Sequence, residues 1–308
     1  MALLKPRYNS LFHVVCRHCA AGLIIGVALF IATLAQGLSD PVDNPQPNTT
    51  GRQLSAGCGQ PPPEVPPESV TVDGRIRRLI AIIPEDYQQD RAHRLVFAFH
   101  GRTNSNARVR GYYNLEQHAG DETLFIYPSG LPQGNGRSWW NPGDSSASLR
   151  DYALFDELLR VFSARYCIDL DQVFVVGHSL GASFANSLAC ARGQKIRGVG
   201  TVGGGINKSG CRGQVAAMVL HNPNDRLVDF SHGIAVRDTY LDQNNLAKES
   251  VAAEPRRFHC ERYGAPEANY PVLWCPHTED YGSRGTYYPH NWPRGTGKAI
   301  MNFFDALP

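Results

Sequence analysis

The chain has 308 residues, 42% of them hydrophobic and 19% charged, enough for one substantial core. Lys and Arg together number 30 against 28 Asp and Glu, and no stretch beyond the extreme N-terminus concentrates positive charge. That excludes an electrostatic footprint for nucleic acid and points to a small or neutral polymeric partner.

Residues 1–39 have the pattern of an export signal. Lys5, Arg7 and Arg17 precede an apolar run from Ala20 to Ala35, and small residues around Ala35 and Gly37 suit cleavage. The run approaches the ~17-residue lower limit for a spanning helix, so the segment is either a cleaved signal or an uncleaved N-terminal anchor. In both cases the rest of the chain lies beyond a membrane, in the periplasm or outside the cell, with no other membrane contact expected. Residues 40–69 are rich in Pro, Gln, Asn and Gly, lack an apolar period, and are expected to form a linker. The tripeptides at Asn48 and Asn207 match the glycosylation acceptor pattern, which matters only in a eukaryotic host.

Residues 70–308 are expected to fold as a single domain. Short β-branched and apolar runs predict strands at Arg75–Ile83, Arg94–His100, Thr123–Tyr127, Gln172–Val176, Val199–Val202 and Ala216–His221. The runs Leu95-Val96-Phe97-Ala98-Phe99 and Val173-Phe174-Val175-Val176 are apolar at successive positions, as in strands covered on both faces. Helical spacing predicts helices over Ser148–Tyr166, Ser179–Arg192 and Arg294–Leu307. The expected fold class is therefore α/β, with a mostly parallel central sheet and helices on both faces.

Gly177-His178-Ser179-Leu180-Gly181 joins a predicted strand directly to a predicted helix. A turn that tight strains its central residue and leaves no room for side chains two positions away, the arrangement of a nucleophile elbow in the α/β-hydrolase fold. Serine needs a base oriented by an acid, and in this fold they follow in the order acid, then His. Asp225 lies on the loop after the strand at Ala216–His221, with Asp229 as a fallback. His290 stands in a loop before the last helix, with His277 in reserve. His178 should leave the elbow in another direction and line the cleft. Two backbone donors are expected for the oxyanion, the amide of Leu180 and that of Arg102, with Thr103 a weaker choice. This chemistry requires no metal or cofactor.

Cys16 and Cys19 fall inside the signal, leaving Cys58, Cys167, Cys190, Cys211, Cys260 and Cys275 as an even set suited to an oxidising compartment. Topology suggests the pairs Cys167 with Cys190, Cys260 with Cys275, and Cys58 with Cys211. No CxxC spacing outside the signal supports a thiolate metal site.

Over roughly residues 75–304 the chain resembles the secreted feruloyl esterase and polyhydroxybutyrate-depolymerase-like esterase family. The similarity is carried by Arg94-Leu95-Val96-Phe97-Ala98-Phe99-His100-Gly101, Tyr127-Pro128, Ser138-Trp139-Trp140-Asn141, Tyr166-Cys167-Ile168-Asp169, the elbow, and His290-Asn291-Trp292-Pro293. The resemblance implies a triad of Ser179, Asp225 and His290, an oxyanion loop at Arg102, and an aromatic wall at Trp139 and Trp140. Two departures stand out: Asn222 where the family's acid loop usually has glycine, and Tyr288-Pro289 where a glycine pair often precedes the base.

Trp139, Trp140, His178 and Trp292 are the expected substrate-binding side chains. The expected substrate is an ester, polymeric in its natural setting: feruloyl esters on plant cell-wall polysaccharide first, poly(3-hydroxybutyrate) or acetylated xylan as alternatives. The non-enzymatic alternative is a catalytically silent envelope binding protein of the same fold.

Overall fold

A computed structural model describes residues 51–132, 138–143, 146–281 and 285–308, with the side chains of 146–149 excepted. The expected export signal, the first part of the Pro-rich stretch and Asn48 lie outside these residues. No described helix is long and apolar enough to cross a membrane.

In chain order the elements are β1 (Ser69–Val72), β2 (Arg75–Ile82), β3 (His93–Phe99), α1 (Asn106–Tyr113), β4 (Thr123–Pro128), β5 (Leu131–Pro132), β6 (Ser138–Trp139), α2 (Ser146–Ser163), β7 (Ile168–His178) and α3 (Leu180–Ala191). There follow β8 (Gly198–Val202), β9 (Ala216–His221), α4 (Phe230–Gln243), β10 (Ser250–Ala252), β11 (Glu261–Tyr263), β12 (Val272–Pro276) and α5 (Thr296–Asp305). All strands but β5 and β6 form one ten-stranded sheet in the order β1-β2-β4-β3-β7-β8-β9-β12-β11-β10. From β4 to β12 neighbouring strands run parallel, and the outer strands on both sides pair antiparallel.

The central strands are apolar at successive positions because each face supplies its own core. Leu95, Phe97 and Phe99 of β3, with Val173 and Val175 of β7, pack with Phe155, Phe162, Phe184, Leu188 and Tyr240 from α2, α3 and α4. Val96, Ala98, Phe174 and Val176 point the other way, toward Val109 and Tyr113 of α1 and Ile300 and Phe304 of α5. Alternation with period two thus divides each run between two layers. Because the central strands are parallel, their carboxyl ends line up along one edge. There β3 ends at Phe99, β7 at His178, β9 at His221 and β12 at Pro276.

Within the stretch expected as linker, residues 53–58 are tied to the start of β7. Leu54 forms an antiparallel bridge with Asp169, the amide of Ser55 donates to the carbonyl of Ile168 (2.9 Å), and that of Leu170 donates to the carbonyl of Gln53 (2.8 Å). Ser55 Oγ adds a bond to the carbonyl of Tyr166 (2.7 Å). This docking corrects two of the expected disulfides. Cys58 is brought to the start of β7 and bonds Cys167, while the amide of Arg212 on the carbonyl of Cys190 (2.7 Å) lays Cys211 against the end of α3, where it bonds Cys190. Cys260 is joined to Cys275. Cys167 and Cys190 do lie toward one end of the sheet, but each has a nearer partner.

Candidate active site

Ser179 sits between β7 and α3 at φ 58° and ψ −124°, a backbone region strained for any residue with a side chain. The surroundings enforce it. A Cβ on Gly177 would collide with the carbonyl of Gly181, and one on Gly181 with the carbonyls of Phe99 and His100. The two glycines let strand and helix cross closely enough to raise Ser179 above the sheet edge.

Ser179 Oγ donates to His290 Nε2 (2.8 Å), and His290 Nδ1 donates to Asp225 Oδ2 (2.6 Å). The other carboxylate oxygen accepts from the amides of Leu227 (2.8 Å) and Val228 (3.0 Å). Burial alone would raise the Asp225 carboxyl, but the bonds from His290 and the two amides outweigh it and hold the group below the usual carboxylate range. An ionised Asp225 can only accept, so Nδ1 of His290 carries the proton and Nε2 is free to take the one on Ser179. Asp225, on the loop after β9, and His290, on the loop before α5, are thus brought together with Ser179.

The two alternates lie elsewhere. Asp229 caps α4, accepting from the amide of Ser231 (2.9 Å). His277 is buried, its Nδ1 accepting from the amide of Glu279 (3.4 Å), and it makes no bond to Ser179.

The amide of Leu180 opens α3 beside Ser179, and Arg102 lines the same cavity. Neither amide has an acceptor among the described residues, whereas Thr103 donates its amide to the carbonyl of Ser138 (3.3 Å). The loop carrying Arg102 is held from below. His100 Nε2 accepts from the amide of Gly130 (2.9 Å) and its Nδ1 donates to the carbonyl of Gly101 (2.8 Å), which fixes one neutral tautomer. Burial pushes this imidazole below its ordinary range, in keeping with that tautomer.

His178 lines the cleft and also bonds the backbone of His290. Its Nε2 donates to the backbone carbonyl of His290 (3.0 Å), and its Nδ1 accepts from the Tyr112 hydroxyl (3.3 Å). Burial, with His290 alongside, pushes His178 down to about 3, so it stays neutral across the working range.

The tryptophans divide. Trp140, expected as part of an aromatic wall, is fully buried: it stacks on Phe184 (5.3 Å), meets Phe99 edge-on, and donates its indole N–H to the carbonyl of His100 (2.8 Å). It is a core residue that anchors the backbone at His100, where the loop carrying Arg102 begins. Trp139, half-buried on β6, is not among the side chains lining either cavity at the sheet edge. Trp292 stacks on Tyr113 (4.0 Å) and lines the second of these cavities.

The first cavity, of about 570 Å³, contains Ser179, His290, Leu180 and Arg102 and is bordered by Leu227 and Tyr288. The second, of about 490 Å³, is lined by Tyr112, Trp292, Tyr281 and His118. The two share Asn104, His178 and Asn291. Sequence reasoning missed the tyrosines, which stand exposed at the mouth, Tyr288 over the first cavity and Tyr281 over the second, with Tyr287 against Tyr281 (5.2 Å). Their clustering within eight positions, Tyr281 to Tyr288, was the available signal. No group of His, Cys, Asp and Glu among the described residues is arranged to hold a metal ion.

No family model matches the chain. It is 31% identical to "Probable feruloyl esterase C" of Aspergillus terreus over 212 residues, 66% of this chain and 74% of that protein. It is 28% identical to "Feruloyl esterase D" of Neurospora crassa over 248 residues, 74% of this chain and 82% of the relative. In fold it is similar to an acetyl xylan esterase from Aspergillus awamori (TM-score 0.57, 14% identity, 75% of this chain and 94% of that one) and to a Bacillus cereus carboxylesterase (TM-score 0.52, 13% identity, 75% and 95%). The chain belongs to the feruloyl esterase family and is a carboxylic ester hydrolase of the α/β-hydrolase fold.

Proposed function

We propose that the protein is exported and hydrolyses esters of ferulate and related hydroxycinnamic acids on plant cell-wall polysaccharide, with Ser179, His290 and Asp225 as its triad. Ser179 Oγ attacks the ester carbonyl while His290 Nε2 takes the hydroxyl proton. The amides of Arg102 and Leu180 receive the oxyanion. Collapse expels the alcohol, which leaves with the proton from His290, and water repeats the cycle to release the acid and restore Ser179. Asp225 keeps the imidazole in its accepting tautomer and stabilises the imidazolium that forms. No step requires a metal or cofactor.

The observation that favours an aromatic acyl group is the second cavity. An acetyl group would not fill about 490 Å³, whereas a phenolic ring can stack on Tyr112 or Trp292 and bond Asn104 or His118. The names of the relatives point the same way. Three disulfides suit an oxidising compartment, which supports export. The deciding experiment compares kcat/KM on methyl ferulate, acetylated xylan and poly(3-hydroxybutyrate). Methyl ferulate should lead by at least about tenfold; a clear preference for either of the others would overturn the substrate.

A further inference from the structure

Beneath the relay, the loop that carries the acid and the loop that carries the base meet on one buried residue. Asp280, after β12, is 1% exposed. Its Oδ2 accepts from Nδ2 of Asn222 (3.0 Å). Asn222 in turn organises the acid loop, its backbone carbonyl accepting from the amide of Asp225 (3.0 Å) and its Oδ1 from the amide of Asn224 (2.8 Å). On the other side, the backbone carbonyl of Asp280 accepts from the amide of Tyr288 (2.9 Å) and from Nδ2 of Asn291 (3.4 Å), residues that flank His290. The Asn222 side-chain nitrogen also reaches the Tyr287 hydroxyl (2.8 Å), tying the same two loops a second time.

The carboxyl is otherwise poorly compensated. Oδ1 has no hydrogen-bond partner among the described residues and lies 3.7 Å from His277 Nδ1, which already accepts from the amide of Glu279. Burying a carboxyl on so few bonds costs stability, and a position that served packing alone would be better filled by an apolar side chain. The cost is borne at the seam between acid and base, where a small error in separation is costly for catalysis.

We propose that Asp280 is a positioning residue for hydrolysis. Through Asn222 and the Tyr288–Asn291 turn, it holds the two loops at the separation that keeps His290 Nδ1 2.6 Å from Asp225 Oδ2. It bonds neither Ser179 nor His290 and acts only through these neighbours. The proposal rests on the assignment of Ser179, His290 and Asp225 made above.

The test uses the whole chain and p-nitrophenyl acetate, which does not depend on the second cavity. Asp280→Ala should lower kcat about 30-fold with KM within about twofold. Asp280→Asn, whose side-chain oxygen can still accept from Asn222, should return kcat to within about threefold of the wild type. Asn222→Ala should reproduce the loss, and the double alanine variant should fall no further than the worse single one. If Asp280→Ala does not fold, Asn222→Ala and Asp280→Asn carry the comparison. The proposal is overturned if either alanine variant keeps kcat within about twofold, or if Asp280→Asn is as impaired as Asp280→Ala. Full activity in Ser179→Ala would instead overturn the triad on which the proposal rests.

Discussion

His290 Nδ1 lies 2.6 Å from Asp225 Oδ2; among the described residues the carboxylate's other hydrogen bonds come from backbone amides, and the His221 ring stands off at 3.6 Å. Asp225→Asn would keep the shape but could donate to Nδ1, turning the proton of His290 onto Nε2 and facing it toward Ser179. The expected loss in kcat is about 10³- to 10⁴-fold with little change in melting temperature. Activity within tenfold of the wild type would remove Asp225 from the triad.

Trp140 and Trp292 should fail in different assays. Trp140→Ala empties a site between Phe99 and Phe184 and should cost about 3–5 kcal/mol in chemical denaturation. Trp292→Ala should lower kcat/KM for methyl ferulate about 30-fold and leave p-nitrophenyl acetate within about threefold. Equal losses on both esters would show that the second cavity does not select the acyl group.

Burial pushes the Asp280 carboxyl up to about 7, with Asn222 bonding to it, Asp225 and Glu279 adding repulsion, His290 opposing them, and His277 the nearest ring. The folded protein therefore keeps a proton that the unfolded chain gives up near pH 4. The stability this group contributes is fully present below about pH 4 and is lost as the pH rises through about 7. Asp280→Asn should remove that loss, so its stability relative to the wild type should grow by on the order of 3 kcal/mol between pH 4 and pH 8. Urea unfolding at both pH values measures it, and an unchanged difference would mean that the carboxyl titrates normally.

The Cys58–Cys167 bond closes a loop of 109 residues at the end of β7 remote from Ser179. Replacing both cysteines with serine should cost about 3–5 kcal/mol of stability. Single-turnover rates below the melting transition should stay within about twofold. A large loss of rate in the folded double variant would show that the docked segment reaches the cleft.

What the sequence made legible was whatever local sterics and strand order dictate. Gly177 and Gly181 announce the elbow because no larger residue fits there, and Asp225 and His290 are legible because each follows a strand or precedes a helix in a fixed order. Trp140 was read as cleft lining because its burial depends on Phe99 and Phe184, which reach it from β3 and α3. Cys260 and Cys275 were paired correctly from their closeness in sequence, but the other two disulfides were misassigned because the docking of residues 51–58 along β7 leaves no apolar period in a Pro-rich stretch. Asp280 gave no signal, since its partner Asn222 is 58 positions away and a lone loop carboxylate is usually a solvated one.

The Asn222 side chain that reaches Asp280 also holds Tyr287, an exposed tyrosine packed against Tyr281 of the second cavity. On the proposed role of this seam, selectivity and turnover are not independent dials. If the loops carrying Asp225 and His290 act as proposed, an engineer who cuts back Tyr287 to loosen Tyr281 at the second cavity would also remove a strut between them, so a broader substrate range would come with slower turnover unless the lost bond to Asn222 were rebuilt from another side chain.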